Sequence, residues 1–509
     1  MKRLLPYISL FLILSGCEEP VDPPRPAGSA PEVSVISISG QEQVDSVLTG
    51  AYVFEDPDGD LEMGSIRRWF RADDTTASAN RTEVAADTGS YTLSAEDEGK
   101  YIIFEITPVS VPTTALDTGL AVTAVTGAIH PPPVIEYPPG LYVEDGKFKK
   151  EGKEIYGIGI NYFNLFYRDV AKMAWEGKCD TSSFEGLRKL SEAGIPFVRF
   201  NMGGYWPIDY TNTYLADKEL YFEHLDRVIK KAEQLDIGLI PSVFWNFITI
   251  PDLQGEHMDQ YGNDDSKTIE FIRSYTREVV ERYKNSPAIW GWEFGNEMSL
   301  YADLGEWQPE FPIYVAGGTP ASRDPERDYL KGAYAVNAFE EFAEVVRLYD
   351  QTRPIFSGNA QPRPYIWNNT HGNPGGTDTE AQYKEIILRD NPDPMNTITI
   401  RGYYGEHYEK PLGITDYDVL VGKFMAWSAE FGRPLFIGEF GANEDYAGTE
   451  QTYQDRINTI VGHKVQLSAV WNFDMAYQTE WSITFENSRS YMLDRIIEAN
   501  QVMGTFGDE

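Results

Sequence analysis

Two glutamates, each at the end of an apolar run, are the residues of this sequence best suited to act together as catalytic groups. One run starts at Ile289 and ends in Asn296 and Glu297, and a second starts at Leu435 and ends near Glu439. If both runs are strands of one parallel barrel, their carboxyl ends meet at the same mouth. Two carboxyl groups there could hydrolyse a glycosidic bond, one protonating the leaving oxygen and the other attacking the anomeric carbon. The alternative is that the two glutamates only cap strands at the surface.

Residues 141–509 show a repeating pattern of strands and helices, and these elements would position the two glutamates. Eight buried runs alternate with amphipathic helices, one of which shows Leu225, Val228, Ile229 and Ala232 at helical spacing. The pattern predicts an α/β fold, a (β/α)8 TIM barrel. The predicted strands are residues 155–161, 197–201, 238–243, 288–293, 354–357, 397–403, 434–439 and 468–472.

Residues 32–130 have a different pattern, that of a small all-β domain. Short apolar stretches separated by Gly and Asp turns predict a β-sandwich. The segment Asp97–Tyr101 resembles the tyrosine corner of immunoglobulin-like domains, which implies an Ig-like module without the paired cysteines. Asp56, Asp58 and Asp60 are interpreted as a hairpin turn, with calcium binding as the alternative. A proline-rich linker is expected at 131–140 and a proline-rich tether at 18–31.

The first 17 residues predict export and lipidation. Lys2 and Arg3 precede an apolar run from Leu4 to Leu14 that has the length of a signal peptide. Residues 14–17, Leu-Ser-Gly-Cys, resemble the lipobox of bacterial lipoproteins, which implies that Cys17 is lipidated and becomes the mature N-terminus. The protein is then expected to be extracytoplasmic and anchored to a bacterial membrane, at the outer membrane or cell surface. The alternative is an ordinary secretory peptide cut near Gly16.

Composition restricts the partners. The chain of 509 residues has 43 basic and 79 acidic side chains, a formal net charge of −36. Such a surface repels nucleic acid and polyanions, which favours a neutral substrate. The six histidines show no metal-ligand spacing and no Gly-rich phosphate loop is visible, so neither a metal nor another cofactor is expected.

The barrel resembles glycoside hydrolase family 5, the cellulase and β-mannanase family, over residues 141–505. The resemblance is carried by Asn296-Glu297 at the predicted end of strand four and by Glu439 at the end of strand seven. It implies that Glu297 is the acid/base and Glu439 the nucleophile of a retaining, double-displacement mechanism. In such enzymes the two carboxyl groups lie about 5–5.5 Å apart.

The same resemblance implies further substrate-binding residues. Arg199 matches the strand-two arginine of the family, although it could also form a structural ion pair. Asn296 matches the residue that holds the sugar 2-hydroxyl, and Trp471 matches the tryptophan beneath the cleaved sugar. Trp206 and Trp245, which follow strands two and three, could stack on further sugars or could simply pack in the core.

Strand six departs from the family pattern. The family usually presents His-x-Tyr there, whereas this chain has Arg401-Gly402-Tyr403 followed by His407. If the strand ends early, Arg401 replaces the histidine and Tyr403 is the conserved tyrosine. If the strand ends later, His407 is the histidine. The sequence alone leaves both alignments open.

The function predicted from these features is internal cleavage of β-1,4 linkages in a neutral polysaccharide, with β-mannan slightly ahead of β-glucan. One alternative is an exo-acting or transglycosylating member of the same family. A second alternative, from another class, is a non-catalytic protein that binds polysaccharide at the cell surface. The presence of both glutamates, Asn296 and Arg199 argues against the second alternative.

Overall fold

The structure is a computed structural model that describes residues 29–76, 80–111, 117–132, 136–305, 323–403, 410–445 and 447–508. The described chain divides into two compact units, with the boundary between residues 136 and 137. The described residues contain no helix that is both long and apolar enough to cross a membrane. Cys17 and His407 lie outside the described residues.

The N-terminal unit is a small β-rich region. Its strands among the described residues are β1 (Glu32–Ser39), β2 (Val47–Glu55), β3 (Ile66–Ala72), β4 (Arg81–Ala86), β5 (Ser90–Thr92), β6 (Tyr101–Thr107), β7 (Val109–Ser110), β8 (Asp117–Thr118) and β9 (Val122–Val125). They form antiparallel sheets in the orders β1-β2-β5 and β4-β3-β6-β9, with β7 and β8 as a separate pair. Trp69, Leu48 and Phe104 are fully buried in one apolar cluster, so side chains of both larger sheets share a core.

The C-terminal unit opens with a small sheet of β10 (Tyr142–Glu144), β11 (Lys147–Lys150) and β12 (Lys153–Glu154). Eight further strands follow, namely β13 (Gly157–Asn161), β14 (Phe197–Asn201), β15 (Gly238–Phe244), β16 (Trp292–Gly295), β17 (Ile355–Phe356), β18 (Ile398–Arg401), β19 (Leu435–Phe440) and β20 (Leu467–Val470). The helices are α1 (Asn164–Glu176), α2 (Ser183–Glu192), α3 (Pro207–Asn212), α4 (Lys218–Leu235), α5 (Thr249–Gln254), α6 (Lys267–Tyr283), α7 (Gly332–Tyr349), α8 (Ile366–Thr370), α9 (Glu380–Arg389), α10 (Tyr417–Phe431), α11 (Thr449–Gly462) and α12 (Tyr491–Met503).

The eight strands β13–β20 form a parallel barrel, which confirms the predicted fold class. The sheet order is β17-β16-β15-β14-β13-β20-β19-β18, so backbone pairing runs around the barrel except between β17 and β18. Side chains bridge that seam. The Thr397 hydroxyl donates to the Ile355 carbonyl at 2.7 Å, and the hydroxyls of Ser357 and Thr399 are 2.8 Å apart. These bonds close the barrel where β17 is only two residues long.

The helices surround the barrel because each presents one apolar face to it. Helix α4 starts where the Asp217 carboxylate accepts the Leu220 N–H at 3.0 Å, an N-cap that satisfies one of the open donors. It buries Leu225, Val228 and Ile229 at the spacing seen in the sequence. The helix ends at Asp236, which adopts a left-handed conformation with φ 47°.

The bottom of the barrel is covered by the β10–β11 hairpin, which turns at Asp145 and Gly146. Phe148 of this hairpin is buried with Phe197, Trp290 and Phe356 in one apolar cluster. The Gln466 side chain fixes the hairpin to β20, because it accepts the Phe148 N–H and donates to the Phe148 carbonyl, both at 2.9 Å. With this end filled by apolar side chains, the polar chemistry is confined to the opposite mouth.

Strand four differs from its predicted bounds. The sequence predicted residues 288–293, whereas β16 is Trp292–Gly295 and Ile289 forms only an isolated bridge with Leu239. The physical reason is that Trp290 already belongs to the bottom cluster. The shift places Glu293 inside the strand and leaves Glu297 two residues beyond its end.

Candidate active site

Glu297 and Glu439 meet at the mouth formed by the carboxyl ends of the strands. Glu439 lies within β19 and is 4% exposed. Glu297 follows β16 in a left-handed conformation with φ 53°, and its N–H donates to the Gly358 carbonyl at 2.9 Å. Arg401 lies between them, with its Nε 3.4 Å from Glu439 Oε1 and 4.0 Å from Glu297 Oε1. The two carboxyl groups therefore flank one guanidinium.

Arg199 from β14 is the second cation of the site and is completely buried. Its Nη1 donates to Glu439 Oε1 and to Asn161 Oδ1, both at 2.9 Å. Its Nε donates to Glu293 at 2.7 Å and its Nη2 donates to Asn296 at 2.8 Å. Arg199 thus forms a structural ion pair with Glu293 and also contacts Glu439.

Asn296 is oriented by both guanidinium groups. Its Oδ1 accepts from Arg199 Nη2 at 2.8 Å and from Arg401 Nη2 at 3.0 Å. A guanidinium can only donate, so the amide oxygen must face the two arginines. The amide NH2 consequently points the other way, and Asn296 is among the residues that line the cleft above the site.

Tyr403 contacts the other oxygen of Glu439. Its hydroxyl donates to Glu439 Oε2 at 3.2 Å, while Arg199 and Arg401 contact Oε1. Strand β18 ends at Arg401, so the observed strand corresponds to the earlier of the two sequence alignments. Glu439 therefore has a hydrogen-bond donor on each of its two carboxylate oxygens.

The Glu297 carboxyl is in a different environment. Burial, and then repulsion from Glu439, raise the pKa of Glu297 to about 7, while the positive charges of Arg401 and Arg199 limit the rise. Its Oε1 atom has no hydrogen-bond partner among the described residues. The two carboxyl groups thus lie in different environments, since Glu297 can hold a proton near neutral pH, whereas Glu439 accepts a hydrogen bond on each of its oxygens.

Two tryptophans form one wall of the site. The Trp245 and Trp471 ring centroids are 5.9 Å apart, and the Arg199 guanidinium carbon lies 4.3 Å from the Trp245 centroid. The Trp471 indole N–H donates to Gln478 Oε1 at 2.7 Å. Trp206 lies further out, where it packs edge-on against Tyr205 at 4.7 Å between centroids.

These residues open into a large cleft of about 1760 Å³. Glu297, Glu439, Asn296, Tyr403 and Trp471 line it, as do Trp206 and Trp245. Arg199 and Arg401 are not among the lining residues; Arg199 donates to Glu439, and Arg401 donates to Asn296 and to the Gly358 carbonyl. The structure thus brings together all the predicted site residues of the barrel that it describes, and only His407 falls outside.

The sequence did not assign roles to Arg401 and Glu293. Arg401 was seen only as a replacement for histidine, yet it contacts both carboxyl groups and Asn296. Glu293 lies four residues before Glu297 in the sequence. Its completely buried ion pair with Arg199 depends on how β14, β15 and β16 are aligned in the sheet. A charged residue inside an apolar run was the signal that could have identified Glu293.

A second cluster of polar side chains lies on the helical side of the unit. The His224 Nδ1 atom is 2.6 Å from Asp169 Oδ2, and the His224 Nε2 atom is 3.6 Å from the Cys179 sulfur. Among the described residues these three form the one group with metal-ligand proximity. None of the three lines the cleft. The expectation that the reaction needs no metal stays a prediction.

A parallel eight-stranded barrel with two carboxyl groups at its mouth defines the class of (β/α)8 glycosidases. Residues 149–477 match the sequence pattern of the family described as cellulase (glycosyl hydrolase family 5). The chain belongs to this family.

Three relatives illustrate the similarity. The chain is 24% identical over 207 residues to a probable mannan endo-1,4-beta-mannosidase C of Aspergillus terreus, which is 37% of this chain and 49% of that protein. It is 38% identical over 82 residues to a probable mannan endo-1,4-beta-mannosidase A of Aspergillus niger, or 15% of this chain and 21% of that protein. The chain thus spans about half or less of these relatives' lengths. The crystal structure of an endo-1,4-beta-mannanase from Rhizomucor miehei shares the fold, with a TM-score of 0.51 at 16% identity, and the match covers 72% of this chain and 99% of that one.

Proposed function

We propose that this chain hydrolyses internal β-1,4 linkages of a neutral polysaccharide with retention of configuration, and that β-mannan is its preferred substrate. The observation that carries this proposal is the pair Glu297 and Glu439 on either side of the Arg401 guanidinium, with the pKa of Glu297 raised to about 7. One group that holds a proton and one that stays ionised are what double displacement requires.

In the first step Glu439 attacks the anomeric carbon and Glu297 protonates the departing oxygen. Arg199 and Tyr403 orient the Glu439 carboxylate, since they donate to Oε1 and Oε2 respectively. A covalent glycosyl-enzyme forms and the shortened chain leaves. In the second step Glu297, now a carboxylate, takes a proton from water, which attacks the same carbon and restores Glu439.

Asn296 and the tryptophans hold the substrate. The Asn296 NH2 group, turned away from both arginines, is available to the 2-hydroxyl of the cleaved sugar, a contact that strengthens in the transition state. Trp471 provides an apolar surface beneath that sugar, and Trp245 packs beside it. Trp206 lines the cleft further out and stacks on a neighbouring sugar.

Three arguments support a neutral β-1,4 polymer that is cut internally. The net charge of −36 repels acidic glycans. Two relatives are named probable mannan endo-1,4-beta-mannosidases, which supports the choice of β-mannan over β-glucan. The large cleft has room for several sugars, which favours internal cleavage over exo action.

Mutants of the two glutamates test the mechanism. Glu439→Ala should abolish activity, and azide should restore part of it with a product of inverted configuration. Glu297→Ala should retain the first step on an aryl glycoside with a good leaving group and then stall. Identical behaviour of both mutants on such a substrate would show that the roles are wrongly assigned.

The substrate is tested by digestion of mannan, galactomannan, a cellulose derivative, mixed-linkage glucan, xyloglucan, pectin and alginate, with products sized over time. Early oligosaccharides of mixed length from mannan support the proposal. Release of monosaccharide alone would favour the exo-acting alternative. Binding without cleavage would instead identify a non-catalytic polysaccharide-binding protein.

We further propose that the protein is an extracytoplasmic lipoprotein held at a bacterial membrane through Cys17, with an Ig-like module at 32–130 and linkers at 18–31 and 131–140. The lipobox-like residues 14–17 and the proline-rich stretches support this arrangement. Metabolic labelling with a fatty acid should be lost in Cys17→Ala. Undiminished labelling would refute the anchor.

A further inference from the structure

Helix α1 turns one face towards the cleft along most of its length. The cleft-lining residues on this helix recur at spacings of three and four, and they include Asn164, Tyr167, Arg168, Ala171, Lys172 and Trp175. A helix rises about 1.5 Å per residue, so this face extends roughly 16 Å from Asn164 to Trp175. The cleft therefore continues well past the two glutamates.

Trp175 at the far end of this face is exposed but fixed. Its side chain is 55% exposed, and its indole N–H donates to Asp209 Oδ1 at 3.0 Å. Asp209 is completely buried, and its other oxygen accepts the N–H groups of Tyr205 and Trp206 at 3.0 and 2.8 Å. One edge of the indole is therefore anchored while much of the ring remains open to solvent. Such a preorganised aromatic surface loses little conformational entropy when a ligand binds.

A second exposed ring lies on the same side of the cleft. Tyr477, in the loop after β20, is 88% exposed and lines the cleft. Tyr167 and Lys172 of α1 line the same cleft. Trp175 and Tyr477 thus both offer exposed aromatic rings to a ligand in this cleft.

The two cations on this side of the cleft are each paired with a carboxylate. Arg168 is 2.8 Å from the Asp474 carboxylate, and Lys172 is 2.8 Å from Glu176. Asp180 also lines the cleft here, so the rim offers hydrogen-bond donors and acceptors but no excess of positive charge. That combination suits an uncharged, hydroxyl-rich ring better than an acidic one.

A row of rings separates Trp175 from the catalytic pair. The centroid of Trp471 is 5.9 Å from that of Trp245, Trp245 is 4.9 Å from Phe163, and Phe163 is 5.7 Å from Tyr205. Tyr205 in turn binds Asp209, the anchor of Trp175. Several packed side chains therefore lie between Trp175 and the catalytic pair.

We propose that Trp175 and Tyr477 form a distal subsite that stacks on a neutral sugar several units from the cleaved bond. The inference rests on the proposed hydrolysis and extends it. Trp175 follows β13 and Tyr477 follows β20, which are adjacent strands, whereas the proton donor Glu297 follows β16. The subsite is thus on the glycone side of the cleaved bond, on the opposite side from the leaving group.

The test compares long and short manno-oligosaccharides. Trp175→Ala should lower kcat/KM for a hexasaccharide roughly three- to tenfold relative to its value for a trisaccharide, the loss expected for one stacking contact. Tyr477→Ala should shift the ratio in the same direction. Trp175→Phe, which keeps a ring without the Asp209 bond, should give a ratio between those of the parent enzyme and Trp175→Ala.

Trp367 supplies a matched control. Its indole N–H also donates to a carboxylate, that of Glu385 at 3.0 Å, but it lies on α8 and is not among the described residues lining the cleft. Trp367→Ala should leave the hexasaccharide-to-trisaccharide ratio unchanged. An unchanged ratio in both Trp175→Ala and Tyr477→Ala, in an enzyme that cleaves the hexasaccharide, would overturn the subsite while sparing the proposed function. No cleavage of either oligosaccharide by the parent enzyme would instead overturn the proposed function.

Discussion

At the scale of single residues, Arg401 distinguishes this site. It occupies the position where a histidine was expected from the family pattern, and it contacts Glu439, Glu297 and Asn296 together. Burial, and then the charge of Arg199, lower the pKa of Arg401, but a guanidinium remains protonated in proteins. The site therefore carries a cation that does not titrate with pH, whereas a histidine would lose its charge near neutrality.

The first prediction concerns the pH profile. Because Glu297 must be protonated for the first step and its pKa is raised to about 7, kcat/KM should fall above about pH 7. Arg401 is one of the charges that lower this pKa, so Arg401→Met should move the alkaline limb to higher pH while reducing activity. Arg401→Lys, which keeps the charge, should move it less. If kcat/KM of the parent enzyme already fell as the pH rose past about 4.5, the ordinary pKa of a glutamate, the role of Glu297 would be contradicted.

The second prediction links the same pKa to stability. The folded-state pKa of about 7 exceeds the ordinary value of 4.5, so between these pH values the folded protein binds more protons than the unfolded chain. Stability contributed by this group is therefore lost as pH rises through that window. Glu297→Gln should raise the free energy of unfolding by roughly 3 kcal/mol at pH 8 and have little effect at about pH 4. If denaturant titrations showed that Glu297→Gln changes the free energy of unfolding equally at both pH values, the link between the Glu297 pKa and stability would be excluded.

At the scale of elements, the register of neighbouring strands assembles the site. Ile400 pairs with Ile437, but Arg401 pairs with Glu439, so the ladder between β18 and β19 skips Gly438. A Cβ at Gly438 would lie 2.0 Å from Arg401 Nη1. Glycine at this position is what allows the guanidinium to approach Glu439.

The barrel strands show how much the sequence could predict. Strand β14 has its predicted bounds, 197–201, because a polar or turn-forming stretch limits the apolar run on each side. Strand β16 was misplaced because the run from Ile289 to Phe294 has no internal signal to separate the bottom cluster from the strand. The contacts of Arg401 were not predictable, since they follow from a one-residue irregularity between two strands distant in sequence.

The third prediction concerns the hairpin at the bottom of the barrel. Gln466→Ala would leave the buried N–H and carbonyl of Phe148 without the Gln466 side chain, which should cost about 2 kcal/mol. Because the hairpin lies at the end opposite the catalytic pair, kcat on a soluble substrate should change little at about 25 °C. Gln501→Ala, at an exposed position of α12, is the matched control for thermal unfolding. A Tm equal to that of the control would show that the Gln466 bonds contribute nothing.

At the scale of the whole molecule, the two compact units differ in what they contribute. All the described residues that line the cleft belong to residues 137–509. The N-terminal unit has its own apolar core around Trp69. A change of pattern and a proline-rich stretch at 131–140 are the features from which the sequence analysis predicts separate domains.

The fourth prediction follows from that division. A protein without residues 18–133 should fold and should keep its kcat/KM on soluble manno-oligosaccharides within about twofold, because domains with separate cores fold independently. Unfolding of the truncated protein, or a large loss of activity on soluble substrates, would show that the two units depend on each other. Circular dichroism and oligosaccharide kinetics distinguish these outcomes.

The central claim is that Glu439 becomes covalently glycosylated during turnover. The most direct measurement is mass spectrometry of the protein after incubation with a 2-deoxy-2-fluoro-mannosyl fluoride, whose second step is slow. We expect one added sugar mass, and proteolysis should place it on the peptide that contains Glu439. Glu439→Gln should show no such addition. An intact, active protein that acquires no label, or a label located on Glu297 or another residue, would contradict the mechanism.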